Sequence, residues 1–299
     1  MQQSATPDQN AAAQVDAARN TAMVRLSAKK WIKNIQIAVG VVIVLFFVIC
    51  AIFANQLMPH DPVSTNMQHR FETPNATHWL GTDELGRDIM SRIMYGGRVS
   101  IMVGVTATTM GAILGMVIGI VAGYYGGKVD TLLGRLIDIM LAFPGLVLAL
   151  AIVAILGPAT TSTIFAITIF AIPTFARIVR GSTLNVKKLE YVDAIKALGA
   201  NDFRVIFIHI LPNIMTPIVV QATLYVATAI VISATLSFLG VGTQPPTPEW
   251  GTMLANGREF ITHAPHITII PGIAMFLLVM GINLIGDGIR DALEPKQTR

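Results

Sequence analysis

Long apolar runs alternate with short polar breaks along the chain. The runs cover about residues 35–57, 99–123, 132–156, 161–179, 214–239 and 267–285. Each is close to the roughly 20 residues a helix needs to cross the hydrocarbon core. The pattern therefore predicts an all-α polytopic membrane protein with six transmembrane helices. Lys33 and Asp61 bracket the first run, Arg98 and Lys128 the second, and Gly157-Pro158 separates the third from the fourth. Pro144, Pro173, Pro217 and Pro271 fall in or near the runs and mark kinks or helix starts. Two longer polar segments, residues 58–97 and 240–266, lie on one side. In the second, Pro245, Pro246 and Pro248 exclude regular helix, and Trp250 suits an anchor at the membrane interface.

One polar stretch has a different character: EYVDAIKALGANDFRVIFIHILPN, residues 190–213. Tyr191, Ala194, Ile195 and Leu198 recur at helical spacing, flanked by Lys188, Glu190, Asp193 and Lys196. This predicts an amphipathic helix of about two turns. Gly199 suits a left-handed C-cap, and Asn201 or Asp202 can cap a second helix. Pro212 ends that second helix or begins the next span. A helix lying on lipid headgroups is usually longer and more basic. A short, mixed-charge helix bent by a glycine fits a groove on a partner protein better.

Composition agrees with lipid as the main solvent. Only 13% of residues are charged and 53% are hydrophobic, with mean hydropathy +0.64; soluble domains carry about 25% charged residues. The net charge of +4 is mild and scattered, so nucleic acid is not an expected partner. The single cysteine, Cys50, excludes an intrachain disulfide framework. Residues 1–30 read as a polar tail and not as a signal peptide. With the N-terminus cytoplasmic, only Arg70, Arg87, Arg92, Arg98 and Arg258 of the 21 Lys and Arg fall outside. The positive-inside rule then predicts both termini in the cytoplasm, and the stretch 190–213 with them. The expected organisation is a tail (1–30), a first span with an external segment (31–97), a five-helix core (98–290) holding the loop at about 182–213, and a C-terminal tail (291–299).

Candidate chemistry within the spans is sparse. Gly111, Gly115, Gly119 and Gly123 recur every fourth residue, a stripe that lets a neighbouring helix approach closely. Whether that contact is static or slides during gating stays open at this point. Arg135 and Asp138 are expected to pair on one helix face. The six histidines form no H-x-x-x-H pattern, so no metal site is expected. GTDELGRD, residues 81–88, loosely echoes a P-loop. Arg87 and Asp88 stand where Lys and Ser/Thr are required, and the topology places it away from ATP. No catalytic group or cofactor is expected on this chain, so any use of ATP needs another subunit. A stand-alone secondary transporter or channel would carry internal repeats and mid-membrane ion ligands, and neither is seen.

DAIKALGA followed by HILPN resembles the EAA loop of ABC-importer permeases. Ala194, Gly199, Leu211 and Pro212 follow the pattern. Asp193 replaces its Glu, Ile195 its second Ala, and His209 an Ile. LGTDELGRDIMSRIMYGGRVS, AGYYGGKVD, LSFLGVGTQPPTPEWGTML and LIGDGIRDALEPK resemble the C-type permease of dipeptide, oligopeptide and glutathione importers. The resemblance runs over about residues 31–296 and implies the type I importer-permease fold in a bacterial inner membrane. It implies a related second permease subunit, two cytoplasmic ATPases carrying ATP and Mg, and a periplasmic or lipid-tethered binding protein. It implies that residues 191–198 form the ATPase-coupling helix. The coupling residues would be Glu190, Tyr191, Asp193, Ala194, Lys196, Ala197, Leu198, Gly199, Leu211 and Pro212. Peptides are the implied substrates, with nickel complexes or oligosaccharides as alternatives within the family.

Overall fold

The structure is a computed structural model that describes residues 35–293. The tail expected over residues 1–30 lies outside the described residues, as do residues 294–299 of the C-terminal tail. Apart from an isolated antiparallel bridge between Thr82 and Asp88, the described residues form helices and their connections. The long helices are α1 (Ile35–Ile52), α2 (Ile89–Tyr125), α5 (Thr160–Lys187), α7 (Asp202–Phe238) and α9 (His266–Leu293). Shorter ones are α3 (Gly127–Ala142), α4 (Gly145–Leu156), α6 (Glu190–Ala197) and α8 (Trp250–Gly257). Among the described residues, five helices are long and apolar enough to cross a membrane, or six if the bent pair α3–α4 is one span.

That pair occupies the run expected as one span over residues 132–156, and it breaks at Pro144, one of the prolines expected to mark a kink or helix start. The chain turns by 90° between α3 and α4. Phe143 is extended there, with φ −82 and ψ 135, because the residue before a proline is driven out of the helical region. The second span also differs, starting ten residues ahead of Val99. The Asp88 carboxylate accepts a hydrogen bond from the Ser91 amide at 2.8 Å and caps α2 at Ile89. At 37 residues, α2 is about 55 Å long, so it extends well beyond a hydrocarbon core of about 30 Å.

The core centres on the crossing of α2 and α5. Gly111, Gly115, Gly119 and Gly123 are all buried in α2. A Cβ on Gly115 would lie 2.6 Å from the Phe175 Cβ and 2.7 Å from the Ile172 carbonyl oxygen. One on Gly119 would lie 2.6 Å from the Ala176 carbonyl oxygen. The α5 backbone thus occupies the volume a side chain would need. Val103, Ala107, Ala171, Phe175, Tyr225 and Ala229 extend this core onto α7. A second close approach joins α1 to α9, where a Cβ on Gly40 would lie 2.8 Å from the Gly281 carbonyl oxygen. Most of α1 otherwise stays exposed, including Val42, Phe46 and Ile52, as a lipid-facing helix requires.

The GTDELGRD segment is a buried ionic turn. Asp83 Oδ1 accepts from the Leu85 and Arg87 amides, each at 2.9 Å. Its Oδ2 accepts from Arg87 Nε at 2.6 Å and faces Arg92 Nε at 3.3 Å. Both arginines are almost fully buried. Trp250 differs from its expected place at the interface. It is fully buried and its indole N–H donates to the Ile93 carbonyl at 3.0 Å. Gly96 and Gly97 leave the slot that the ring fills. The expected Arg135–Asp138 pair is also replaced. Asp138 pairs with Arg177 at 2.9 Å and Asp130 with Arg180, so both carboxylates reach across from α3 to α5. Lying alongside α5, α3 meets its arginines before its own.

Candidate ATPase-docking loop

Local sequence dictates the shape of residues 189–213. α6 starts at Glu190 and has Glu190 and Asp193 in its first turn and Lys196 in its last. Each charge opposes the partial charge at its own end of the helix. The helix closes on Gly199, whose φ of +88 most residues with a Cβ avoid. The Gly199 amide donates to the Lys196 carbonyl at 2.9 Å, and that of Leu198 to Ala194 at 3.1 Å. Asn201 then caps α7, its Oδ1 accepting from the Arg204 amide at 2.9 Å.

α7 does not stop at Pro212. Residues Val205–Ile210 form a widened π-turn that runs directly into Leu211–Phe238. Pro212 has no N–H to offer the preceding turn, and the widened turn lies directly ahead of it. The Asn213 side-chain amide donates to the His209 carbonyl at 2.7 Å and to the Tyr191 hydroxyl at 3.2 Å. The loop is thus joined rigidly to a 37-residue helix.

Val192 seats α6, with Ile195 packed against the same cluster. Val192 is fully buried among Val179, Val205, Ile210 and Ile214. The residues expected to share the apolar side mostly point away from the body. Tyr191 is 40% and Leu198 88% exposed, and Ala194 is exposed with them, while Ile195 is half-buried. Glu190, Asp193, Ala197 and Gly199 are also exposed, Lys196 and Leu211 are half-buried, and Pro212 is exposed. Phe203 and Phe207 add two exposed rings with centroids 4.4 Å apart. Tyr191, Leu198, Phe203 and Phe207 thus leave apolar side chains exposed beside the charged Glu190 and Asp193.

Tyr124, at the end of α2, is a holding residue that local periodicity does not reveal. Its hydroxyl donates to Asp202 Oδ1 at 2.6 Å. Lys196 Nζ lies 4.8 Å above its ring, and Lys187 Nζ bonds its carbonyl oxygen. The only local signal was the tyrosine pair in AGYYGG. Tyr124→Phe keeps the packing and removes the bond to a partly solvated carboxylate, which costs about 1 kcal/mol. Amide hydrogen exchange over residues 190–204 is expected to quicken several-fold, with exchange in α2 and α5 unchanged.

Residues 115–299 match the family described as binding-protein-dependent transport system inner membrane component. Residues 25–74 match the N-terminal TM domain of oligopeptide transport permease C. The chain belongs to the binding-protein-dependent inner membrane permeases. Among the relatives of this permease is the dipeptide transport system permease protein DppC of Alkalihalophilus pseudofirmus, 46% identical over 97% of this chain and 96% of that one. The glutathione transport system permease protein GsiD of Pectobacterium atrosepticum is 44% identical over 88% of each. A chain of the MetNI methionine ABC transporter shares the fold, with a TM-score of 0.58 at 19% identity over 69% of this permease and 98% of that chain. The permease is therefore a transporter component and not an enzyme, working in a system that also needs ATPase and substrate-binding subunits.

Proposed function

We propose that this permease forms half of an ATP-driven import pathway for short peptides or glutathione, and that α6 is its ATPase-coupling helix. The names of the dipeptide and glutathione relatives support the substrate class. One observation carries the coupling role: α6 is held to the body through Val192 and presents Tyr191, Ala194 and Leu198 outward. ATP and Mg belong to the partner ATPases, and a related second permease subunit completes the pathway. Both termini and α6 face the cytoplasm, in keeping with the distribution of Lys and Arg.

The mechanism follows from the joints. Closure of the ATPase pair moves the grooves that hold the coupling helices. α6 moves with its groove, the hydrogen-bonded turn 198–201 passes the shift to α7, and α7 runs on into the span. The transport cycle advances because ATP binds the two global states with different affinity. The spans then switch access to the pathway that receives substrate from the external binding protein. Hydrolysis resets them. Reconstitution with partner ATPases, a second permease and a binding protein tests this reading. Uptake of labelled dipeptide or glutathione is expected only with ATP. Uptake driven by an ion gradient without ATPases would contradict it.

A further inference from the structure

At the far end of α2 from α6, His60, His78 and Asp88 converge although 18 and 10 residues separate them in sequence. One ligand-capable atom from each lies within 4.8 Å of the others. His78 Nδ1 is 2.9 Å and His60 Nδ1 3.8 Å from the same Asp88 Oδ1. The two imidazoles lie side by side with centroids 4.6 Å apart. Bonds of about 2.0–2.2 Å to a tetrahedral zinc ion put ligand atoms about 3.3 Å apart. The two separations to Asp88 bracket that value, and all three atoms lie within 4.8 Å of one another, so side-chain rotation is what brings the set to that spacing.

Surrounding bonds hold this geometry. Asp88 Oδ2 is engaged by the Ser91 amide and hydroxyl at 2.8 and 2.7 Å, which leaves Oδ1 for the histidines. The His60 amide donates to Ser91 Oγ at 3.1 Å, and the His78 amide to Asn75 Oδ1 at 2.7 Å. The Asp88 carboxylate is buried. His60 Nδ1 is buried with no hydrogen-bond partner among the described residues. The cluster opens onto a cavity of about 680 Å³ that His69, Glu72 and Asn75 also line. A fourth coordination position would face that cavity.

We propose that His60, His78 and Asp88 form a binding site for a divalent transition-metal ion of the zinc class. Two imidazoles and one carboxylate suit such an ion better than calcium or magnesium, which prefer oxygen ligands. The ion fastens residues 58–88 to the start of α2, and its open position takes water or a donor group from a bound molecule. The Ser91 amide and hydroxyl bonds to Asp88 Oδ2 are outer contacts of the kind that orient a ligating carboxylate.

The test uses the full-length chain, tag-free in detergent, stripped with a chelator and titrated with Zn²⁺ by calorimetry. One equivalent is expected to bind. His60→Gln combined with His78→Gln is expected to weaken binding by at least about tenfold, the lower range seen even for outer-shell changes. His209→Gln and His263→Gln are expected to leave it unchanged. Zinc-edge X-ray absorption on the unaltered chain reads the site without any variant and is expected to show imidazole nitrogen and carboxylate oxygen. No stoichiometric binding, equal binding by the double variant, or a shell lacking imidazole would overturn the proposal.

Discussion

Gly199→Pro is expected to reduce ATP-dependent uptake to background while the chain still reaches the membrane. Proline fixes φ near −65°, and this position sits at +88. The substitution also removes the amide that donates to the Lys196 carbonyl at 2.9 Å. Together these changes unwind the end of α6, and with it the placement of Leu198. Space does not limit this position, because a Cβ on Gly199 would meet nothing within 4 Å. Within this chain, backbone conformation is therefore the constraint. Asn tolerates a left-handed conformation, so Gly199→Asn is expected to keep most of the uptake. Vesicle transport of labelled peptide by both variants, with the membrane level of each measured alongside, separates the two effects. Equal loss in both variants would mean that the glycine matters for something other than its φ.

Gly115→Leu is expected to prevent the chain from folding. Its Cβ would stand 2.6 Å from the Phe175 Cβ and 2.9 Å from the Ala176 amide nitrogen. Backbone atoms cannot move aside as a side chain can, so α2 and α5 must separate along the stripe. Overpacking of this kind costs about 1–3 kcal/mol or more, and here it falls at the centre of the core. The expected readout is loss of the monodisperse peak on size-exclusion chromatography in mild detergent. Gly181→Leu, on α5 but with nothing within 4 Å of its Cβ, is expected to keep that peak.

Much of this architecture was legible because lipid makes sequence speak plainly. Hydropathy marked the spans, and Gly199 and Asn201 punctuated the loop by backbone rules that act over a few residues. What depends on direction or on distant partners was not legible. Hydropathy runs unbroken across Phe143 and Pro144, so the right-angle turn there left only a proline as its trace. The face of α6 that seats it is Val192 with Ile195 beside it, a pairing that the expected apolar side of Tyr191, Ala194, Ile195 and Leu198 did not single out. Trp250 looked like an interface residue because the slot at Gly96 and Gly97 lies some 150 residues away in sequence. The same limit hid Tyr124 beneath the loop. It also hid His60, His78 and Asp88, which converge only once residues 58–88 fold over the start of α2.

The central claim is that the exposed face of α6 sits in an ATPase groove. Leu198 is 88% exposed in this chain alone, and Cys50 is its only cysteine. In a Cys50→Ser background, Leu198→Cys supplies one thiol at the C-terminal edge of that face. Its rate of labelling by a water-soluble maleimide is then measured with and without the ATPase subunits assembled. The coupling account predicts at least about tenfold slower labelling in the assembled transporter, because groove burial removes the thiol from water. Equal labelling rates in the two preparations would contradict it.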